Sequence, residues 1–171
     1  MTVQLDSASE LRAIYDAHFA AVWHHLRRMG VAKADRDDLA QEVFLTVHQK
    51  LATWDRSRPV RPWLIGIASR VTLHYWRTKR RRPGDRPAEE NEPDPAASDA
   101  DRNARMMLAA LLQTLDPDRR AQFILHELEG FSIPEIAELT ETPVNTVYSQ
   151  VRRTRQELVA LAQRWQQQEA S

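Results

Sequence analysis

Apolar residues recur at three- and four-residue spacing along the first 82 positions, which predicts three amphipathic helices. These helices cover about residues 11–29, 35–51 and 62–80. Gly30 is predicted to close the first helix, because glycine readily adopts the left-handed conformation that ends many helices. Asp35 is predicted to be the N-cap of the second helix, since its carboxylate can accept hydrogen bonds from the first backbone N–H groups. The three apolar stripes are expected to face one another in a small core.

The pattern after residue 101 predicts four more helices. The first covers about residues 102–115. Asp116, followed by a proline, opens the second helix, which ends at Gly130. Ser132 has capping-box spacing and opens a short third helix. Thr142, again followed by a proline, opens the last and longest helix.

The last two predicted helices have the proportions of a helix-turn-helix, in which a short helix and a tight turn precede a long recognition helix. Ile136 and Ala137 are expected to form a small core with Val144, Val147 and Val151. The outer face of the long helix lacks acids and suits base edges and phosphates. Its residues are Asn145, Thr146, Ser149, Arg152, Arg153 and Gln156. The alternative is an ordinary helical hairpin with a solvated polar face.

Composition narrows the classes of function. The 171-residue chain has no cysteine, which excludes a disulfide scaffold, a thiolate zinc site and a cysteine nucleophile. No catalytic or phosphate-binding motif occurs, so neither an enzyme nor a cofactor or metal site is expected. No apolar run approaches the ~20 residues of a membrane span, so a cytoplasmic protein without membrane insertion is expected. Only four glycines and few β-branched runs favour an all-α fold.

The charges balance over the whole chain, at 24 basic and 24 acidic residues, but they are not evenly distributed. Residues 61–82 carry seven basic and no acidic side chains, whereas residues 83–101 carry seven acidic side chains and four prolines. The second stretch has only alanine as an apolar residue, so it is predicted to be a flexible linker. The chain is therefore expected to consist of two small helical domains, 1–82 and 102–171, joined by that linker.

The basic helix 62–80 interleaves aromatic and cationic side chains, as proteins that bind single-stranded nucleic acid do. Trp63, Tyr75 and Trp76 alternate there with Arg70, Arg77 and Lys79. The preceding loop adds Trp54, Arg56, Arg58 and Arg61. This combination suits melting DNA better than an intact duplex. The alternative is that the aromatic residues belong to the core and the arginines to a solvated helix end, and for Trp63 the core is favoured.

Four segments, taken in order, resemble one protein family. Residues 37–45 (DDLAQEVFL) resemble a D-L-x-Q-E-x-F polymerase-binding helix, and residues 61–68 (RPWLIGIA) resemble a W-L-x-x-I-A strip. Residues 130–138 (GFSIPEIAE) and 142–149 (TPVNTVYS) are similar to G-x-S-x-x-E-I-A and P-x-x-T-V-x-S. The family is the sigma-70 family, in its two-domain extracytoplasmic-function (ECF) class. The resemblance covers nearly the whole chain.

The resemblance implies a sigma factor that binds core RNA polymerase and directs it to promoter DNA. Its region 2 domain, residues 1–82 with three helices, would bind the polymerase clamp and recognise and melt the −10 element. The implied polymerase-binding residues are Asp38, Gln41 and Glu42. The implied −10 residues are Trp54, Arg56, Arg58, Arg61, Arg70, His74 and Arg77. An anti-sigma factor is implied as a further partner.

The same resemblance assigns residues 102–171, with four helices, to a region 4 domain whose helix-turn-helix reads the −35 element. The implied −35 residues are Asn145, Thr146, Ser149, Arg152 and Arg153. Glu141 stands where the family often has a glycine in the turn, and a non-glycine residue at positive φ is strained.

Two other functions are consistent with a helix-turn-helix alone. A transcription regulator that acts without polymerase would bind palindromic sites by itself. A helical adaptor would bind only protein. The ordered motifs of the first half favour the sigma factor, for which little promoter binding is expected without core polymerase.

Overall fold

The computed structural model describes residues 2–79 and 99–169, and the chain divides into two compact units, Met1–Arg86 and Pro87–Ser171. Every regular element among the described residues is helical, which confirms the all-α prediction. Most of the predicted linker lies outside the described residues. Its last three residues, 99–101, already belong to the first helix of the second unit.

The first unit contains three long helices, α1 (Thr2–Arg28), α2 (Lys33–Lys50) and α3 (Val60–Lys79), with a 3-10 turn at Leu51–Thr53 after α2. Each long helix packs against the other two. The predicted apolar stripes meet in one core, and Val22, Val43 and Ala68 in it are fully buried. Gly30 ends α1 at φ 82°, as predicted. The adjacent Val31 N–H donates to the Leu26 carbonyl at 3.1 Å, which closes the turn.

The prediction that Asp35 caps α2 is wrong. Ala32 precedes the helix and makes no side-chain cap, and Asp35 lies inside the first turn. The Asp35 carboxylate instead accepts hydrogen bonds from the Tyr75 hydroxyl at 2.6 Å and the Lys79 ammonium at 2.9 Å. These bonds, the one from Tyr75 above all, hold the pKa of Asp35 below its ordinary value. Asp35 therefore joins α2 to the end of α3 rather than capping its own helix.

A buried polar pair also joins α1 to α3. His25 and Ser69 are both fully buried, and the His25 Nε2 atom lies 2.9 Å from the Ser69 hydroxyl oxygen. The Ser69 hydroxyl donates its only hydrogen to the Ile65 carbonyl at 2.7 Å. Because that hydrogen is committed, Ser69 accepts from His25, and Nε2 carries the proton. This histidine is a structural core residue.

The second unit contains α4 (Asp99–Gln113), α5 (Pro117–Phe123) continued by a π-helical segment (Ile124–Leu128), α6 (Ile133–Thr140) and α7 (Val144–Glu169). Two of its predicted caps are confirmed. Asp116 caps α5 by accepting from the Arg119 N–H at 3.0 Å. Ser132 and Glu135 form the capping box of α6.

The end of α4 is held by a buried arginine. Arg120 is 3% exposed and donates to the carbonyls of Leu112, at 2.9 Å, and Leu115, at 3.0 Å. Burial lowers the pKa of its guanidinium to about 10. The two bonds link Arg120 to carbonyl groups in the last turn of α4 and in the segment just after it, which offsets part of the desolvation of the charge.

The start of α7 differs from the prediction in two ways. Thr142 does not cap the helix, because its hydroxyl donates back to the Thr140 carbonyl at 3.1 Å. The first helical hydrogen bonds of α7 run from the Thr146 and Val147 N–H groups to the Pro143 carbonyl, at 2.9 and 3.0 Å. Val144, predicted to belong to the small core, is 47% exposed, whereas Val147 is fully buried. Val144 is the first residue of α7, so it lies at the end of the apolar stripe that Val147 and Val151 continue into the core.

No described helix is long and apolar enough to span a membrane. Within residues 2–79 and 99–169, no three acidic or histidine side chains gather as metal ligands would.

Candidate functional site

The predicted polymerase-binding residues lie together on α2. Asp38, Gln41 and Glu42 are all exposed. Gln41 also borders a groove between α1 and α2 that is mostly apolar. The groove is lined by Leu11, Tyr15, Phe19, Asp37, Gln41, Phe44, Leu45 and His48. Leu45 is 56% exposed and Tyr15 39%, so this face offers apolar surface beside the polar residues.

Two tryptophan rings and an arginine lie close together where the loop between α2 and α3 meets α3. The rings of Trp54 and Trp63 lie 5.8 Å apart at an interplanar angle of 22°. The Arg56 guanidinium lies 5.7 Å from the centre of the Trp54 ring. Both tryptophans are partly buried and pack against the core of the first unit, as favoured for Trp63. The loop is thus fixed to the helical body through its aromatic side chains.

Ion pairs and short hydrogen bonds complete this loop. Arg56 donates from Nε and Nη2 to the two carboxylate oxygens of Glu10, at 3.0 and 2.8 Å. Asp55 accepts from the Ser57 hydroxyl at 2.7 Å and lies 3.6 Å from Arg58. The predicted DNA-binding arginines of the loop therefore already have acidic neighbours in the free protein.

The predicted −10 residues of α3 share its outer surface. Arg61, Arg70, His74 and Arg77 are all exposed, and the last three recur at four- and three-residue spacing. The prediction of base stacking is wrong for Trp76, which is 8% exposed and donates its indole N–H to the Met29 carbonyl at 3.1 Å. Tyr75 is half-buried and bound to Asp35.

The predicted −35 residues lie along the first turns of α7. All five, Asn145, Thr146, Ser149, Arg152 and Arg153, are exposed. Val147, Val151 and Leu158 on the opposite side are buried, as predicted. Because the residues stand on one continuous helix, the backbone fixes their spacing.

A polar network anchors α7 to α5. Arg119 donates to the Thr154 hydroxyl at 2.8 Å and to the Glu157 carboxylate at 2.6 Å. Glu157 also accepts from Arg153 at 2.9 Å. These bonds, led by the one from Arg119, hold the pKa of Glu157 below its ordinary value. The positive charge of Arg153 is therefore partly neutralised by Glu157 on the same helix.

The turn between α6 and α7 confirms the strain expected at Glu141. Its φ of 52° and ψ of 40° place it in the left-handed region, and no other described non-glycine residue has a positive φ. The Thr142 N–H reaches back to the Ala137 carbonyl at 3.0 Å, which ends α6 as glycine-containing turns do. The turn keeps its geometry in spite of the side chain.

Two residues missing from the predicted sites stand out in the structure. Tyr148 is 59% exposed on α7, three residues after Asn145 and four before Arg152, so helical spacing could have found it. Glu10 holds Arg56 across 46 residues of sequence, and no local pattern signals that contact.

Models of two families match the chain. The model described as "Sigma-70 region 2" matches residues 14–82. The model described as "Sigma-70, region 4" matches residues 105–158. The first covers the three-helix body with its loop, and the second covers the unit that ends in the helix-turn-helix.

Individual proteins give the same likeness. The RNA polymerase sigma factor NccH of Alcaligenes xylosoxydans xylosoxydans is 32% identical over 85% of this chain and 83% of its own. The ECF RNA polymerase sigma factor SigC of Mycobacterium tuberculosis is 32% identical over 74% of this chain and 70% of its own.

A solved structure extends the likeness to the fold. The sigma factor RpoE of Bartonella quintana, crystallised with the anti-sigma factor NepR, matches with a TM-score of 0.73. The match covers 90% of this chain and 97% of that chain, at 19% identity.

Proposed function

Because the chain belongs to the sigma-70 family, in its ECF class, we propose that its two units divide promoter recognition between them. The protein is a sigma factor, which binds core RNA polymerase and directs transcription initiation at promoters. The family consists of transcription initiation factors and contains no known enzymes. The matched regions, residues 14–82 and 105–158, support a first domain of residues 1–82 and a second that begins with α4 at Asp99.

This assignment rests on one observation, namely that two different surfaces follow each other along the chain. A loop with stacked tryptophans and arginines precedes a helix-turn-helix with an exposed polar face. Aromatic and cationic groups suit unpaired bases, whereas a helix face suits the major groove of a duplex. A promoter being opened offers both kinds of DNA.

The −10 element is bound by the first unit in this proposal. Trp54 offers a ring at the loop, and cations approach the phosphates from the loop and from α3. The contributing residues are Trp54, Arg56, Arg58, Arg61, Arg70, His74 and Arg77. Stacking on an aromatic ring stabilises an unpaired base by about 1–3 kcal/mol, which offsets the cost of unstacking it.

The −35 element is bound by α7. Asn145, Thr146, Ser149, Arg152 and Arg153 face the major groove, and Tyr148 adds an apolar surface for base methyl groups. Both arginines are exposed, but Arg153 also donates a hydrogen bond to the Glu157 carboxylate. Arg152 is therefore the stronger of the two arginine contacts.

Polymerase binds the polar face of α2, through Asp38, Gln41 and Glu42. The clamp of its largest subunits would then hold both DNA-binding units near one promoter and raise their effective concentration. An anti-sigma factor is the proposed regulator, as the Bartonella relative was solved with one. Since core polymerase works in the cytoplasm, that compartment is proposed for this protein too.

Run-off transcription with purified core polymerase tests the proposal, using DNA fragments from the source genome. The native chain should direct discrete transcripts, and Gln41→Ala should reduce them together with polymerase binding. Gln49→Ala changes another exposed glutamine of the same helix and serves as the matched control. Tight, specific DNA binding by the isolated chain, with no binding to core polymerase, would favour the self-sufficient regulator instead.

A further inference from the structure

The loop between α2 and α3 is held to the helical body by side chains rather than by its backbone. Its described backbone bonds are short-range, such as the Arg58 N–H to the Asp55 carbonyl at 3.0 Å. Ser57 also bonds only to Asp55. Side-chain contacts link the loop to distant residues, through the packing of Trp54 on Trp63 and the core and through the pairing of Arg56 with Glu10.

The pairing with Glu10 has a directional geometry. Two parallel N–H···O bonds join the guanidinium edge to both carboxylate oxygens, at 3.0 and 2.8 Å. Such a bidentate pair fixes the plane of the guanidinium as well as its position. The guanidinium carbon lies 5.7 Å from the centre of the Trp54 ring, and that ring lies 5.8 Å from the ring of Trp63. Glu10 thus closes a chain of contacts that runs from α1 through Arg56 and Trp54 to α3.

We propose that Glu10 is a positioning residue for promoter opening, which holds Arg56 against Trp54 so that the loop is preformed for an unpaired base. This inference rests on the proposed function of the loop. A preformed loop loses less conformational entropy when the base arrives, so opening is faster than with a loop that must first become ordered. Glu10 itself does not touch DNA in this account.

The opposite role of Glu10 would be inhibitory. In that case Glu10 would neutralise Arg56 and keep it from DNA phosphates, and its removal would strengthen DNA binding. Two observations favour positioning. The carboxylate is 29% exposed, so it is partly enclosed at the body of the unit, and the arginine stays 54% exposed while it is held. Arg56 therefore keeps solvent-facing surface in the bound arrangement.

The test measures two quantities for holoenzyme on a duplex promoter, the affinity of the closed complex and the rate of opening. Glu10→Gln should leave the affinity unchanged and slow opening by about fivefold, the upper end of what exposed ion pairs contribute. Asp16→Asn removes a paired acid from the same helix, away from the loop, and should change neither quantity. The thermal stability of the free protein should fall only slightly, because the pair is largely exposed, and a large fall would indicate a general structural defect and overturn the proposal.

A double-mutant cycle tests whether Glu10 acts through Arg56. Adding Glu10→Gln to Arg56→Gln should slow opening no further than Arg56→Gln alone, because one ion pair is lost in both cases. Fully additive effects would overturn the proposal, and so would normal or faster opening, or tighter DNA binding, by Glu10→Gln. If the native chain itself failed to direct promoter-dependent transcription, the proposed function would fail first, and the two failures are thereby distinguished.

Discussion

The two proposed DNA-binding surfaces of this protein are held in shape by different means. On α7 the exposed residues stand on a continuous helix, and backbone hydrogen bonds set the spacing of Asn145, Ser149 and Arg152. In the loop after α2, side-chain contacts set the geometry, through the Trp54–Trp63 stack and the Glu10–Arg56 pair. The helix keeps its regular geometry when an exposed side chain is substituted, whereas the geometry of the loop depends on a few specific contacts.

The difference matches the two kinds of DNA that the surfaces are proposed to bind. A duplex groove is regular, so a rigid helix with periodic side chains can follow it. An unpaired base is a single group leaving a stack, and a pocket for it needs one local arrangement of ring and cation. Substitutions on α7 should therefore weaken individual contacts, whereas substitutions around the loop should alter its whole arrangement.

The largest expected effect tests whether the two units are stabilised independently. Ile136→Ala removes a fully buried side chain from the second unit and should lower its free energy of unfolding by about 2–5 kcal/mol. Hydrogen exchange on the full chain should show lost protection in residues 99–169 and unchanged protection in residues 2–79. Ile136→Val should cost only about 0.5–1.5 kcal/mol. Equal loss in both units would contradict their independence.

The next largest effect concerns the helical surface. Arg152→Ala should weaken binding of the holoenzyme to promoter DNA by about 1–3 kcal/mol, if the arginine contacts a base as proposed. Arg153→Ala should cost less, because Glu157 already neutralises part of that charge. Arg164→Ala, an exposed arginine farther along the same helix, is the control and should have little effect. Equal losses for Arg152 and Arg164 would indicate a general charge effect.

A smaller effect is expected at the turn that precedes the helical surface. Glu141→Gly relieves a left-handed non-glycine residue and should raise the stability of the second unit by about 0.5–1 kcal/mol, after allowance for the more flexible unfolded chain. Glu138→Gly, three residues earlier inside α6, should instead destabilise it by about 1 kcal/mol. Unfolding of the second unit in denaturant, monitored by hydrogen exchange, would measure both changes in stability. A loss of stability in Glu141→Gly would show that the side chain compensates for the strain.

The smallest effect is a dependence of stability on pH. The pKa values of Glu10, Asp35 and Glu157 are lowered by hydrogen bonds from Arg56, Tyr75 and Arg119, respectively. A carboxyl group whose pKa is lower in the folded than in the unfolded state stabilises the fold at pH values above its unfolded pKa. This stabilisation is lost as pH falls through its folded pKa. The contribution of these three groups to stability should therefore be constant from pH 7 to about 5 and be lost below about 4.5. Tyr75→Phe should flatten the decline in the first unit alone, as measured by thermal unfolding across pH.

Several features of the fold could be predicted because they depend on neighbours in the chain. The spacing of apolar residues located each helix, and Asp116 and Ser132 signalled their caps within three residues of the groups that they satisfy. The exposed side of α7 follows from the helical period, which also places Tyr148 there among the polar residues. Glu141 was recognised as strained because the turn that it occupies has a fixed local geometry.

The sequence by itself determined the helices, the caps of α5 and α6, the family and the order of the two units along the chain, since each of these is encoded over a few residues or one helical period. Only the tertiary structure decided what Asp35, Trp76 and Arg56 do, because their partners Tyr75, Met29 and Glu10 lie 40 or more residues away. A charged or aromatic side chain can face DNA, solvent or another helix with the same local sequence. The choice among them depends on which partner the packing of the three helices brings within hydrogen-bonding distance.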